Sequence, residues 1–195
     1  MLLRTVILGV LALGMIGCAA QPPTHYYDLT AVSAPAKQRL PQSVSLGIGP
    51  VTLPELLDQP GVVSRKGDTV VNVATYHIWA GELEPAFTRV LAENVARRLE
   101  HDRVWPSPWD NRFRPEYQVR IFVDRFSGEV NGEVVLNLTW SLLGDYGQEL
   151  IRTQRYRGTV IAEGGYHGYV NALNQLLAAF SEQLASELVG QVPKL

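Results

Sequence analysis

The residue types that most readily do chemistry are sparse in this chain, and they do not converge. Cys18 is the only thiol in 195 residues. A lone thiol cannot staple the fold, and a cysteine-based metal site is excluded. The four histidines, His25, His77, His101 and His167, show no spacing that would set two of them, or one and an acid, on a single helix face around a metal. They read as surface or turn histidines. No G-x-S-x-G elbow is present, so a hydrolase of that type lacks its nucleophile. Gly47-Ile48-Gly49 opens no helix and runs into Pro50, where a dinucleotide fingerprint would need a helix N-terminus. Gly164-Gly165 precedes the last predicted helix, where bare amides could hold an anion; a plain connecting turn is the preferred reading. Asp28, Glu55 and Asp58 are scattered acids with no partner visible in sequence. No catalytic set, metal site or cofactor is expected.

Two groups remain. Arg152, Arg155 and Arg157 crowd a single predicted strand. Charges on an edge strand commonly block edge-to-edge pairing; the alternative is contact with an acidic partner or with lipid headgroups. Trp79, Trp105 and Trp109 read as core or half-buried anchors, whereas an exposed aromatic patch would mark a partner surface.

Cys18 is explained by what precedes it. Arg4 is the only charge in residues 1–17, and an apolar run follows from Val6 to Ile16. A basic start and an apolar stretch of roughly 7–15 residues make a secretory signal, too short for a comfortable spanning helix of about 20 residues. Gly17 supplies the small residue before a cut. Met15-Ile16-Gly17-Cys18 resembles the lipobox, with Met15 where Leu is usual; there the thiol receives diacylglyceryl and becomes the mature N-terminus. Ala19 follows, not the Asp that commonly retains lipoproteins at the inner membrane. That sorting rule implies lipid anchoring at the periplasmic face of the outer membrane. Palmitate and other acyl chains, at about 0.8 kcal/mol per buried methylene, would make the attachment effectively permanent.

The elements behind the anchor follow from periodicity. Residues 1–17 form the signal peptide, 18–24 a lipidated tether, and 25–195 one domain. The net charge of -2, with acids and bases mixed, argues against a general nucleic-acid binder. Tyr26 to Leu29 suggests a short strand, and Val44 to Gly49 a full one with Val44, Leu46 and Ile48 on one face. Gly61–Ser64 and Thr69–Ala74 flank a hairpin turn at Lys66-Gly67-Asp68, and Trp79 lies in a bridge to the first helix. That helix starts near Glu84-Pro85, with Phe87, Val90, Leu91, Val95 and Leu99 on its apolar stripe, and ends near Glu100 or His101. Tyr117, Val119, Ile121 and Val123 alternate with Gln118, Arg120 and Asp124. Asn131-Gly132 then offers a two-residue turn with positive φ at both positions, and Val134 to Leu142 returns. Glu149–Ile161 is a third strand, and a last helix runs from about His167 to Gly190. The expected fold is α+β: a two-layer sandwich, a mostly antiparallel sheet covered by two amphipathic helices.

In this order the residues carry a resemblance. Cys18, Tyr26-Tyr27-x-Leu29, Val51-Thr52-Leu53-Pro54, Gly61-Val62-Val63, Trp79-Ala80, Phe126-Ser127-Gly128 and Trp140-x-Leu142-Leu143 together resemble the ABC-type transport auxiliary lipoproteins, in particular those of paraquat-inducible intermembrane transport systems. The similarity spans essentially the whole mature chain, with a different and longer segment from Trp105 to Pro115. It implies a non-enzymatic component that docks an MCE-domain protein at the outer membrane, in a system moving lipids or other hydrophobic molecules between membranes. Any ATPase would be a separate subunit, and a homo-oligomeric ring is compatible with a multimeric partner. The residues themselves leave open a structural envelope lipoprotein of another secretion or assembly machine, or a periplasmic enzyme with a deep polar pocket.

The anchor generates the first prediction. The Cys18→Ser chain should incorporate no labelled palmitate and should leave the membrane fraction. Labelling at the unsubstituted level would refute the lipidation reading.

Overall fold

The computed structural model describes residues 21–32, 39–110 and 112–192; Cys18 and the signal sequence lie outside the described residues. In chain order the elements are β1 (His25–Tyr27), β2 (Leu46–Thr52), β3 (Gly61–Lys66), β4 (Val70–Trp79), α1 (Leu83–Leu99), β5 (Val104–Pro106), β6 (Tyr117–Gly128), β7 (Glu133–Gly144), β8 (Glu149–Ile161) and α2 (Gly165–Gln191). The α+β class read from the sequence is the one adopted. The strands, however, divide into two sheets: a five-stranded one in the order β5-β2-β6-β7-β8, and a three-stranded one in the order β1-β4-β3.

Connectivity explains the division. From β2 the chain makes the β3–β4 hairpin and then α1 before it returns to the large sheet as β5 and β6. That crossover is long enough for β2 to lie parallel to both β5 and β6, because parallel neighbours need a connection of a dozen or more residues. The β6–β7 and β7–β8 pairs are antiparallel over long registers, as the alternating meander requires. Trp79 ends β4 rather than bridging to the helix, since β4 runs on to meet β1 with Tyr27 opposite Trp79.

One face of the large sheet is covered by the helices. Val134, Leu136, Leu138, Trp140 and Leu142 are all at most 1% exposed, while Asn137, Thr139 and Ser141 of the same strand lie half-buried on the other face. The α1 stripe Phe87, Val90, Leu91, Val95 and Leu99 is wholly buried. Across it, Arg97 pairs with Glu93 one turn back, a contact that adds only a few tenths of a kcal/mol at such exposure. Phe87 meets Phe126 of β6 edge-on at 5.2 Å, the geometry the ring quadrupoles favour. α1 ends at Glu100, which takes a left-handed conformation at φ 44°.

The β6–β7 turn differs from the sequence reading. Four residues, 129–132, separate the strands, closed by the Glu129 amide donating to the Glu133 carbonyl at 2.9 Å. Neither Asn131 nor Gly132 has positive φ. Asn131 is used otherwise: its Oδ1 accepts the Gly165 amide at 2.9 Å, satisfying an N-terminal donor of α2 that has no intrahelical acceptor.

The two sheets and α2 meet at Tyr169. Its side chain is fully buried; the hydroxyl donates to the Val63 carbonyl of β3 at 2.9 Å and accepts the Gly128 amide of β6 at 3.0 Å. Burial holds the phenol neutral, pushing its pKa up to about 12 from 10.0, against a smaller opposing effect of the Gly128 hydrogen bond. A raised folded-state pKa gives stability that is whole below the unfolded value and is lost as pH rises through the folded one. The shift corresponds to roughly 2–3 kcal/mol. Tyr169→Phe should therefore cost about 1–3 kcal/mol, because Gly128 N–H and Val63 C=O are left without a partner. Denaturant unfolding should also lose a wild-type stability decline between about pH 10 and pH 12. An unchanged alkaline profile in the variant would contradict this role.

Candidate functional site

The start of the described domain is fixed by side chains from both helices. After β1 the chain crosses the helix layer with Leu29 fully buried. Asn174 of α2 accepts the Thr30 amide through Oδ1 at 3.0 Å, and Asn94 of α1 accepts the Val32 amide at 3.0 Å. Beside them Arg89 holds Asp28 at 3.0 Å and reaches the Leu29 carbonyl at 3.3 Å. One asparagine from each helix thus satisfies a strap that belongs to no sheet.

The arginines of β8 do not act together. Arg152 turns towards the helices, its guanidinium 3.5 Å from Glu187 of α2. Arg155 and Arg157 are exposed and have no ion-pair partner among the described residues. In register they stand beside Thr139 and Asn137 of β7. The neighbouring positions on β6 are Phe122, 57% exposed, and Arg125. β8 is an edge strand, so the same charges also oppose edge-to-edge pairing.

Trp79 is buried and Trp109 half-buried. Trp109 lies against Gly47, where an added Cβ would collide with the indole and with Pro115; this packing is what the glycine of Gly47-Ile48-Gly49 serves. Trp105 departs from the expected burial. It is 44% exposed because it sits on β5, the opposite edge strand, with Phe113 edge-on at 5.4 Å. Gly164 and Gly165, with φ 85° and 72°, form a turn, and the Gly165 amide is already taken by Asn131.

The histidines correct the surface-or-turn reading in two places. His101 is 1% exposed and its Nε2–H donates to the Val44 carbonyl at 2.9 Å, fixing the approach to β2. His77 stands opposite His25 in the β1–β4 ladder. Their rings stack at 5.3 Å, Tyr166 of α2 stacks on His77 at 4.0 Å, and Tyr27 Oη lies 2.9 Å from His77 Nδ1. The scattered acids also find places: Asp28 pairs with Arg89, while Glu55 and Asp58 enter one cleft with Glu82 and Glu84. Among the described residues no group of three or more His, Cys, Asp or Glu is placed to hold a metal, and no helix is long and apolar enough to cross a membrane.

Sequence reading missed the strap, the histidine stack and the cleft. Asn94 and Asn174 carried a signal, because each interrupts the buried stripe of its helix. The other two depend on segments distant in sequence and gave none.

This arrangement defines a class of two-layer α+β domains. A crystal structure of an uncharacterized protein is similar with a TM-score of 0.70 and 24% identity, covering 86% of this chain and 99% of that one. A protein from Xanthomonas campestris gives a TM-score of 0.71 at 16% identity, covering 86% and 96%. These likenesses concern the fold alone. Among curated proteins none matches significantly. The family model of the ABC-type transport auxiliary lipoprotein component matches residues 27–185, and the chain belongs to that family.

The histidine stack carries its own prediction. Burial, then the like charge of His25, lowers the His77 pKa from the usual 6.5. A depressed histidine pKa means that its contribution to stability is whole above the unfolded value and is lost as pH falls through the folded one. An NMR titration should place the His77 midpoint below 6.5, and His25→Ala should raise it. A midpoint at or above the usual value would contradict the stack.

Proposed function

We propose that this chain is a lipid-anchored docking component of an intermembrane lipid transport system, holding an MCE-domain protein at the periplasmic face of the outer membrane. Family membership over residues 27–185 is the observation that carries the reading, because it ties the chain to a transporter as an auxiliary lipoprotein. The sole thiol at the end of an apolar leader supports the lipid anchor at Cys18. A fully extended tether over residues 18–24 spans at most roughly 25 Å, so the domain works within that distance of the bilayer. The strap at 28–32 then passes any pull to both helices.

In this reading the protein carries no chemistry of transport; it supplies position and a surface. The exposed Arg155 and Arg157, with Phe122 across β7 on the same sheet, offer that surface, with cationic groups for an acidic protein patch or for headgroups and an apolar contact two strands away. Arg152 serves the helix layer instead.

The test is co-purification of the detergent-solubilised full chain with an MCE-domain protein co-expressed from the same organism. Association is expected, and Arg155→Glu with Arg157→Glu should weaken it at least several-fold while leaving the unfolding midpoint unchanged. Clean failure to associate with the anchor intact would sink the docking reading.

A further inference from the structure

A cleft of about 610 Å³ opens between the turn after β2 and the start of α1. Its buried floor includes Leu57, Trp79 and Leu83. Its rim carries Glu55 and Asp58 from one side and Glu82 and Glu84 from the other, and no basic side chain lines it. All four carboxylates are exposed, and none has an ion-pair partner among the described residues. Some acids elsewhere in the fold are paired, Asp28 with Arg89, Glu100 with Arg39 and Glu187 with Arg152, and others such as Asp124 and Glu149 stand alone; the four at the cleft differ in converging on one space. Glu82 and Glu84 suit the positive end of the α1 dipole. That explains two of the four, and leaves Glu55 and Asp58 facing them without compensation.

Trp79 supplies a second, independent observation. It lines the cleft, is 7% exposed, and its indole N–H has no acceptor. A buried donor without a partner carries its desolvation cost in full. The cleft therefore combines a rim without positive charge and a lining tryptophan whose buried donor has no partner.

We infer that this cleft docks a basic peptide segment of a partner protein, with a lysine or arginine head among Glu55, Asp58, Glu82 and Glu84 and a backbone carbonyl accepting from Trp79. A compact metal ion does not fit, because no three of these groups are placed to ligate one. An extended cation does: its aliphatic stem covers the apolar floor while its charged head stays in the wet rim. The volume is that of a site for several residues' side chains, well above what one small amine fills. Phosphate-bearing lipid headgroups are repelled by the same rim. The inference stands apart from the docking of an MCE-domain protein, since it concerns a different surface and does not require that partner.

The experiment is isothermal titration calorimetry on the full chain in non-ionic detergent with three probes: acetyl-Gly-Lys-Leu-Arg-Gly-amide, the same peptide with glutamate at both basic positions, and n-butylammonium. Saturable, sub-millimolar binding of the basic peptide alone is expected, weakening as salt rises. Glu55→Gln with Asp58→Asn, both exposed and outside the long helices and sheets, should weaken it at least tenfold without changing the circular dichroism spectrum. Trp79→Phe should weaken the basic peptide, provided the variant keeps the parent spectrum. Three results would each overturn the inference: no binding below millimolar, equal binding to the double variant, or n-butylammonium binding as tightly as the peptide, which would identify a free amine as the occupant.

Discussion

The hydroxyl of Tyr169 is where three elements that share no ladder are joined. α2 provides the side chain, β3 the carbonyl and β6 the amide. The small sheet is hydrogen-bonded within itself, and its edge strand β3 has no ladder to the large sheet. Without this buried bridge the two sheets would be joined by side-chain packing and by the more exposed bonds of Arg65 and Gly67 near the hairpin end. A phenol that both donates and accepts sets distance and direction, and its burial keeps it neutral so that it can donate. Arg65 donating to Ser127 Oγ at 3.0 Å and the Gly67 amide donating to Glu129 at 3.1 Å add ties towards the hairpin end, so β4, the Trp79 cleft and the His77 stack are placed by a set of bonds of which the phenol is the buried one.

A second constraint comes from the direction of load. In the proposed reading the domain is held to a membrane by its N-terminus and is pulled at the segment that leads there. β1 is a three-residue strand at the edge of the small sheet, too short to resist alone. The strap that follows it is secured by Asn94 and Asn174, which tie it to both α1 and α2. Those helices in turn pack on β2, β7 and β8 through the stripe of α1 and the apolar face of α2. Burying two asparagines in helix stripes costs stability unless their amide groups are used; here strap amides use both Oδ1 atoms and the Thr30 hydroxyl accepts from Asn174 Nδ2, while Asn94 Nδ2 stays buried without a partner. The arrangement gives a physical reason for polar residues at positions where leucine would otherwise pack better.

How far the fold could be read depended on the range of the cause. The β6–β7–β8 meander and both helices were legible because their signals are local: Val134 to Leu142 alternates with period two, and Phe87 to Leu99 repeats with the helical period. The hairpin between β3 and β4 was legible from Lys66-Gly67-Asp68. The parallel placement of β2 was not, because Leu46 and Ile48 are equally apolar whichever neighbours they take, and their partners Val104 and Tyr117 are decided by a crossover of tens of residues. Asn131 misled in a related way. As a turn residue it suggested a tight type I′ hairpin, yet its side chain was committed to the Gly165 amide 34 positions on. Trp105 was misjudged for the same kind of reason, since exposure on β5 follows from that strand being an edge.

Charge was the least legible property, and bulk composition explains why. A net charge of -2 with acids and bases mixed along the chain suggests a surface without polarity. Folding sorts the same residues. Glu55 and Asp58 are brought from the β2–β3 connection to face Glu82 and Glu84 from the α1 start, while Arg155 and Arg157 are placed on the exposed face of β8, three strand positions from β2, or about 14 Å at the usual strand spacing. At physiological ionic strength that exceeds the screening length of about 8 Å, so the acidic cleft and the basic strand do not cancel for an approaching partner. Each presents its own sign. A near-neutral chain can therefore carry two surfaces of opposite electrostatic preference, and recognition at one is compatible with the other being occupied.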